Sequence, residues 1–101
     1  MEPQKLQENA RRASNLLKAM SNEHRLMVLC LLSQGEKSVG ELERLVGLSQ
    51  SALSQHLARL RRDGLVQTRR QAQTIFYSLS GKEATAVLGT LYSLYCAVEP
   101  A

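Results

Sequence analysis

The chain has 101 residues, 44% hydrophobic and 22% charged, which suits one small globular domain and excludes a disordered segment. Its formal charge of +4 favours an anionic partner, nucleic acid or a membrane surface. No apolar run reaches the roughly 18 residues of a membrane span, and the opening Met-Glu-Pro-Gln-Lys has no signal-peptide core, so a cytoplasmic protein with no membrane role is expected. Two cysteines are too few for a secreted disulfide scaffold and should rest as thiols in a reducing compartment.

Over residues 4–20, Leu6, Ala10, Ala13, Leu17 and Met20 recur at spacings of four and three. This predicts an amphipathic helix with a narrow apolar seam, suited to packing on another helix. Arg11, Arg12 and Lys18 occupy its polar sides as a solvated basic face. Ser21 or Asn22 can cap a second helix that runs to about Gln34 and stops at Gly35. Its centre, Leu26-Met27-Val28-Leu29-Cys30-Leu31-Leu32, is apolar all round, which places it mid-core with Cys30 buried.

Ser38-Val39-Gly40-Glu41 has the capping-box spacing and opens a short third helix with Leu42, Leu45 and Val46 inward and Gly47 at its end. Ser49 then caps a fourth helix, on which Leu53, Leu57 and Leu60 fall at i, i+4 and i+7. Gln50, Ser51, Ser54 and Gln55 lie away from that apolar side, with Arg59, Arg61 and Arg62 a turn later and Gly64 as the stop. Two short helices joined by a glycine-containing turn over residues 38–63, the second polar outside, make a helix-turn-helix pattern.

After Gly64 the period changes. Leu65-Val66-Gln67-Thr68-Arg69-Arg70 and Thr74-Ile75-Phe76-Tyr77-Ser78-Leu79 are rich in β-branched and aromatic residues around the polar Gln71-Ala72-Gln73. This predicts a β-hairpin over residues 65–79, a wing beside the fourth helix. Ser80-Gly81-Lys82-Glu83 reads as a second capping box, opening a last helix over about 81–97 with Pro100 beyond it. Ala84, Leu88, Leu91, Tyr95 and Val98 give that helix a heptad-like seam. The chain is thus expected to be mainly α with a β-hairpin wing, a single winged helix-turn-helix domain spanning 1–101. Its first and last helices present two seams that predict a homodimer; the alternative is that both close the protomer's own core.

Glutamine can pair bidentately with adenine, serine serves base edges or phosphates, and a helix N-terminus attracts phosphate. Gln50, Ser51, Ser54 and Gln55 are therefore the expected base-reading set. Arg69, Arg70, Gln71 and Gln73 are wing candidates for phosphate or the minor groove. Arg59 is a further candidate, although cations at a helix end also stabilise its dipole without DNA. His56, on the border of the core-facing side, reads as structural or as a phosphate contact.

The stretch 48–66, followed by Arg69-Arg70-Gln71-Ala72-Gln73-Thr74-Ile75-Phe76-Tyr77-Ser78-Leu79, resembles the winged-helix core of the ArsR (arsenical-resistance repressor) family. The similarity covers about residues 16–96. It implies a dimeric regulator that binds double-stranded operator DNA and answers to an inducer. Many members sense metals, but the cysteine motif of the arsenic and cadmium sensors is missing around Val39-Gly40-Glu41-Leu42. The last helix, from Ala84 to Cys96 in sequence, has none of the His, Asp or Glu ligands of the zinc and nickel sensors. His24 and His56 with two distant cysteines make no zinc set, so neither metal nor cofactor is expected.

Cys30 in the second helix and Cys96 at the end of the last are similar to the dithiol pair of the family's sulfide- and persulfide-responsive branch. That resemblance implies redox sensing: reduced cysteines bind DNA, and oxidation or persulfidation bridges them by a disulfide or polysulfide and releases it. The residues alone also allow two core cysteines with no task, in an anti-silencer, an activator or a constitutive regulator. A thiol enzyme is not expected, since no Cys-x-x-Cys or catalytic histidine supports one.

Overall fold

The computed structural model describes residues 2–96. Among them the elements follow as α1 (Pro3–Met20), α2 (Glu23–Ser33), β1 (Lys37–Ser38), α3 (Val39–Val46), α4 (Gln50–Arg62), β2 (Val66–Gln71), β3 (Thr74–Leu79) and α5 (Lys82–Tyr95). The expected continuation of the last helix to Ala97, its seam residue Val98 and the stop at Pro100 lie outside the described residues. None of the described helices is long and apolar enough to cross a membrane.

The caps set where the helices begin. Asn22 Oδ1 accepts from the His24 and Arg25 amides at 2.9 and 3.1 Å, so Asn22 rather than Ser21 starts α2. At α3 the capping box closes in both directions: the Glu41 amide donates to Ser38 Oγ at 3.2 Å and the Ser38 amide to Glu41 Oε1 at 2.9 Å. Gly47, left-handed at φ 75°, ends α3, and Ser49 Oγ accepts from the Ala52 amide to start α4. The expected second box is not formed. Gly81, at φ 89°, is the cap residue of α5 and Ser80 lies before it, its amide donating to the Leu65 carbonyl at 2.9 Å. The helix starts one residue too late for a Ser80–Glu83 box.

Strand β1 was not legible in the sequence pattern. It pairs antiparallel with β3, which pairs with β2, giving the order β1-β3-β2. The hairpin turns through Ala72 and Gln73 between the closing pair Gln71 and Thr74. Val66 is buried and Tyr77 and Leu79 pack on the core, so the sheet's inner face lies against the helices.

The core is built on Leu53, Leu57 and Leu60 of α4, Val28, Leu29 and Leu32 of α2, Leu42 and Val46 of α3, and Leu65, Val66, Ala84 and Leu88. Leu45, expected inward, is exposed. The buried Arg25 holds α2 to the end of α1: its Nε donates to the Ala19 carbonyl at 2.6 Å and its Nη2 to Lys18 at 3.3 Å. Both carbonyls lie in the last turn of α1, where Lys18 also accepts from the Ser21 amide, and a cation suits that end.

Two expectations change here. Only one side of α2 is buried; Met27 and Cys30 are exposed, and Leu26 and Leu31 half-buried. Cys30 is thus a surface residue of the protomer. The seam of α1 does not close the protomer's own core, since Leu6, Ala10, Ala13 and Leu17 are all exposed and only Ala19 and Met20 are buried. The seam of α5 is divided: Ala84 and Leu88 are buried, Leu91 is half-buried, and Tyr95 is 80% exposed.

Candidate nucleic-acid interface

Helix α4 has three kinds of side. Leu53, Leu57 and Leu60 anchor one in the core, and the side opposite carries Ser51, Gln55, Ala58 and Arg62, all exposed. Between them run two flanks. Gln50, Ser54 and Arg61 occupy one, and the groove there is lined by Ser54, Arg61, Val39 of α3 and Tyr77 of β3. Ala52, His56 and Arg59 occupy the other and are half-buried. The four expected base readers are therefore together at the exposed N-terminal half of α4, with Ser51 and Gln55 outermost and Gln50 and Ser54 turned toward the sheet.

The other two α4 candidates are drawn back toward the protein. His56 stacks on His24 of α2, ring centroids 5.9 Å apart. Burial first, then Arg25 and His24, lowers its pKa and favours the neutral ring. Arg59 Nε lies buried 3.5 Å from Asp63 Oδ2, too far to make a hydrogen bond of that ion pair. His56 thus packs α4 against α2, while Arg59 faces the C-cap residue of its own helix.

The wing candidates separate by face. Residues opposite each other in an antiparallel pair share a face, and successive residues alternate. Arg69 is opposite Phe76 and Gln71 opposite Thr74 on the outer face. Arg70, opposite Ile75, shares the face of Val66 and Tyr77, which is the one turned toward α4. Gln73 sits in the turn, and both Arg70 and Gln73 are exposed. Arg69 is engaged within the protein. Its Nε and Nη2 donate to the two carboxylate oxygens of Glu36 at 2.8 and 2.7 Å, and its Nη1 to Gln71 Oε1 at 3.0 Å. Its guanidinium also lies 4.5 Å from the Phe76 ring centre. Glu36 carried no signal in the sequence. It faces Arg69 only because β1 brings the chain after α2 alongside β3, and a two-residue strand has no readable period.

The two cysteines come from different elements, Cys30 from α2 and Cys96 from the end of α5, and both are exposed free thiols. Partial burial pushes the Cys30 thiol above its ordinary range, and the charge of Cys96 adds to the rise. Among the described residues no three His, Cys, Asp or Glu cluster as a metal site would require.

Known proteins resemble this chain in sequence and in fold. The family model for bacterial regulatory proteins of the arsR family matches residues 22–68. The transcriptional activator HlyU of Vibrio cholerae is 57% identical over 96 residues, 95% of this chain and 89% of that protein. A structure of reduced HlyU superposes with a TM-score of 0.89 at 58% identity, covering 92% of this chain and 98% of that one. The biofilm growth-associated repressor of Xylella fastidiosa is 45% identical over 94 residues, 93% of this chain and 82% of that protein. A homodimeric winged helix-turn-helix DNA-binding domain from Mycobacterium bovis superposes at 0.78 with 26% identity, covering 93% of this chain and 86% of that one.

Proposed function

The chain belongs to the arsR family of bacterial regulatory proteins, and from that membership we propose that it regulates transcription as a homodimer on an inverted-repeat operator, with Cys30 and Cys96 as its switch. The observation that carries the DNA-binding part is the exposed polar end of α4, with Ser51 and Gln55 outermost beside a wing whose Arg70 shares the face turned toward that helix. Each protomer places α4 in a major groove, so the half-sites lie about one helical turn apart or slightly more. Gln50, Ser51, Ser54 and Gln55 read bases, and Arg70 and Gln73 reach the backbone or minor groove. His56, Arg59, Arg69 and Gln71 hold these groups in place. Dimerisation is supported by the exposed apolar side chains of α1 and α5 and by the homodimeric relative.

The switch reading is supported by two accessible thiols, of which Cys96 raises the pKa of Cys30, and by a relative with a reduced form. With a low-molecular-weight persulfide, each protein thiol takes one sulfane sulfur and releases the donor as a thiol. Condensation of the two protein persulfides then expels hydrogen sulfide and leaves a trisulfide. With a peroxide, one thiolate is oxidised to a sulfenic acid, and the second thiol displaces water to form a disulfide. Either bridge ties α2 to the end of α5 and restricts how the dimer presents its two α4 helices. DNA is released because only the unlinked arrangement fits both half-sites. The sign of regulation does not follow from the fold, since HlyU is an activator and the biofilm protein a repressor.

The test is fluorescence anisotropy on a duplex selected by the wild-type protein from a random library, before and after a sulfane-sulfur donor, with mass spectrometry counting the inserted sulfurs. Loss of binding that the Cys30→Ser variant escapes is expected. Undiminished binding after complete linkage would overturn the switch. In a second reading the thiols are inert, which the raised Cys30 pKa favours because the thiolate is the reactive form. A Cys30→Ser, Cys96→Ser variant that regulates normally in cells under sulfide would establish it.

A further inference from the structure

We infer that Arg69 is not itself a DNA contact but a positioning residue, which with Glu36 latches the wing to the segment before α3. The inference rests on reading the hairpin as a DNA-contacting wing. It is carried by how fully the guanidinium is occupied. Nε and Nη2 meet both carboxylate oxygens of Glu36 in a bidentate fork, Nη1 meets Gln71 Oε1, and the planar face rests near Phe76. Arginine suits this arrangement because its donors are fixed in one plane; lysine could supply the charge but not the fork. The Glu36 carboxyl is held below its ordinary range, chiefly by its hydrogen bonds from Arg69, so it stays ionised and paired at neutral pH.

The topology says what the latch does. Glu36 precedes β1, β1 pairs with β3, and Arg69 stands on β2 at the far side of β3. The ion pair therefore spans the sheet on its outer face, crossing β3 to join the residue before β1 to β2. Lys37 and Ser38 are the residues that enter α3, so the latch links the base of the helix-turn-helix to the strand carrying Arg70. Arg70 follows Arg69 directly and takes the opposite face, toward α4. Fixing Arg69 outward fixes where Arg70 points.

The obvious rival is that Glu36 only masks a DNA-binding Arg69 in the free protein. The two accounts differ in sign. Removing an acidic side chain next to a phosphate-binding arginine should strengthen DNA binding, whereas removing a latch partner should weaken it. The experiment measures affinity for the library-selected duplex over a salt series, with Glu36→Gln, Arg69→Gln, Arg69→Lys, the Glu36→Gln/Arg69→Gln double variant and Arg70→Ala. Thermal melting confirms that each is folded at the working temperature.

The latch predicts that Glu36→Gln weakens selected-site binding about two- to fivefold, as for the loss of one well-formed surface ion pair. Arg69→Gln should weaken it similarly with the salt slope unchanged, Arg69→Lys should not rescue, and the double variant should be no worse than either single. Affinity for an unselected random duplex should fall less, which a mere loss of stability would not produce. Tighter binding by Glu36→Gln, or a salt slope reduced by about one in Arg69→Gln, would overturn the latch and make Arg69 a phosphate contact. If Arg70→Ala changes neither affinity nor slope, the wing reading fails and the latch falls with it. If Arg70→Ala weakens binding but Glu36→Gln does not, only the latch fails.

Discussion

Helix α4 has 13 residues and sinks Leu53, Leu57 and Leu60 to 2% exposure or less, while α1 has 18 and buries only Ala19 and Met20 at its end. The helix-turn-helix is thus complete within one protomer: α2, α3 and the sheet cover the apolar side of α4 and leave its polar side free. The outer helices are not. Leu6 and Leu17 of α1 and Tyr92, Leu94 and Tyr95 of α5 are more than half exposed, and Cys96 ends that same uncovered stretch. The difference teaches that the part proposed to read DNA is self-contained, whereas the part carrying the proposed switch leaves apolar side chains uncovered that the proposed dimer would bury. In the proposed switch, a thiol bridge there would change how two fixed heads are held rather than the heads themselves.

The contrast can be broken most directly at Leu57. Its replacement by Ala should remove about 2–5 kcal/mol of stability, because the closely packed surroundings cannot collapse on the cavity. Leu6→Ala, on the uncovered seam, should cost the isolated protomer almost nothing. Urea unfolding of both variants, at a protein concentration low enough for the protomers to be separate, checks the pair, and similar losses would erase the distinction. Next in size is the assembly itself. Leu17→Asp or Leu94→Asp should dissociate the dimer while leaving helix content intact, since each apolar side chain returned to water forfeits about 1.5–3 kcal/mol and the charge adds to it. Sedimentation velocity reads the outcome; dimers of unchanged affinity would mean that copies associate through another surface.

What the sequence made legible follows the same division. The i, i+4, i+7 leucines of α4 and the Ser38–Glu41 box were readable because each is a local pattern satisfied within one helix. Cys30 was expected in the core because an all-apolar stretch does not say whose atoms cover it, and here one side of α2 has no cover among the described residues. Strand β1 and the Glu36–Arg69 pair were hidden for another reason. They depend on two distant segments meeting across β3, and neither segment carries a period of its own. Ser80 had the right neighbours but the wrong place, since Gly81's backbone turn starts α5 a residue later.

Within the self-contained half, Ser51→Ala with Gln55→Ala should cost on the order of 1–3 kcal/mol for each lost base contact and relax specificity at those positions. Gln50→Ala with Ser54→Ala should cost less, because that flank is turned toward the sheet. Anisotropy with the selected duplex and its single-base variants measures both, and a larger loss from the flank pair would reverse the assignment.

The smallest effects test whether the caps are local as well. Ser38→Ala removes a formed cap and should cost about 0.5–2 kcal/mol, whereas Ser80→Ala, at the box that does not form, should stay within roughly 0.5 kcal/mol. The carboxylate end of the formed box adds a pH signature. The Glu41 carboxyl is held below its ordinary range, chiefly by the Ser38 backbone amide, then by the Ser38 side chain, Lys37 and Arg44, against a smaller opposing effect of burial. A carboxyl depressed in the folded state contributes its full stabilisation above its unfolded value and loses it as pH falls through the folded value. The urea midpoint of wild type should therefore approach that of Glu41→Gln as the solution is acidified through the carboxylate range. A gap between the two that does not change with pH would mean that the Glu41 charge takes no part in closing α3.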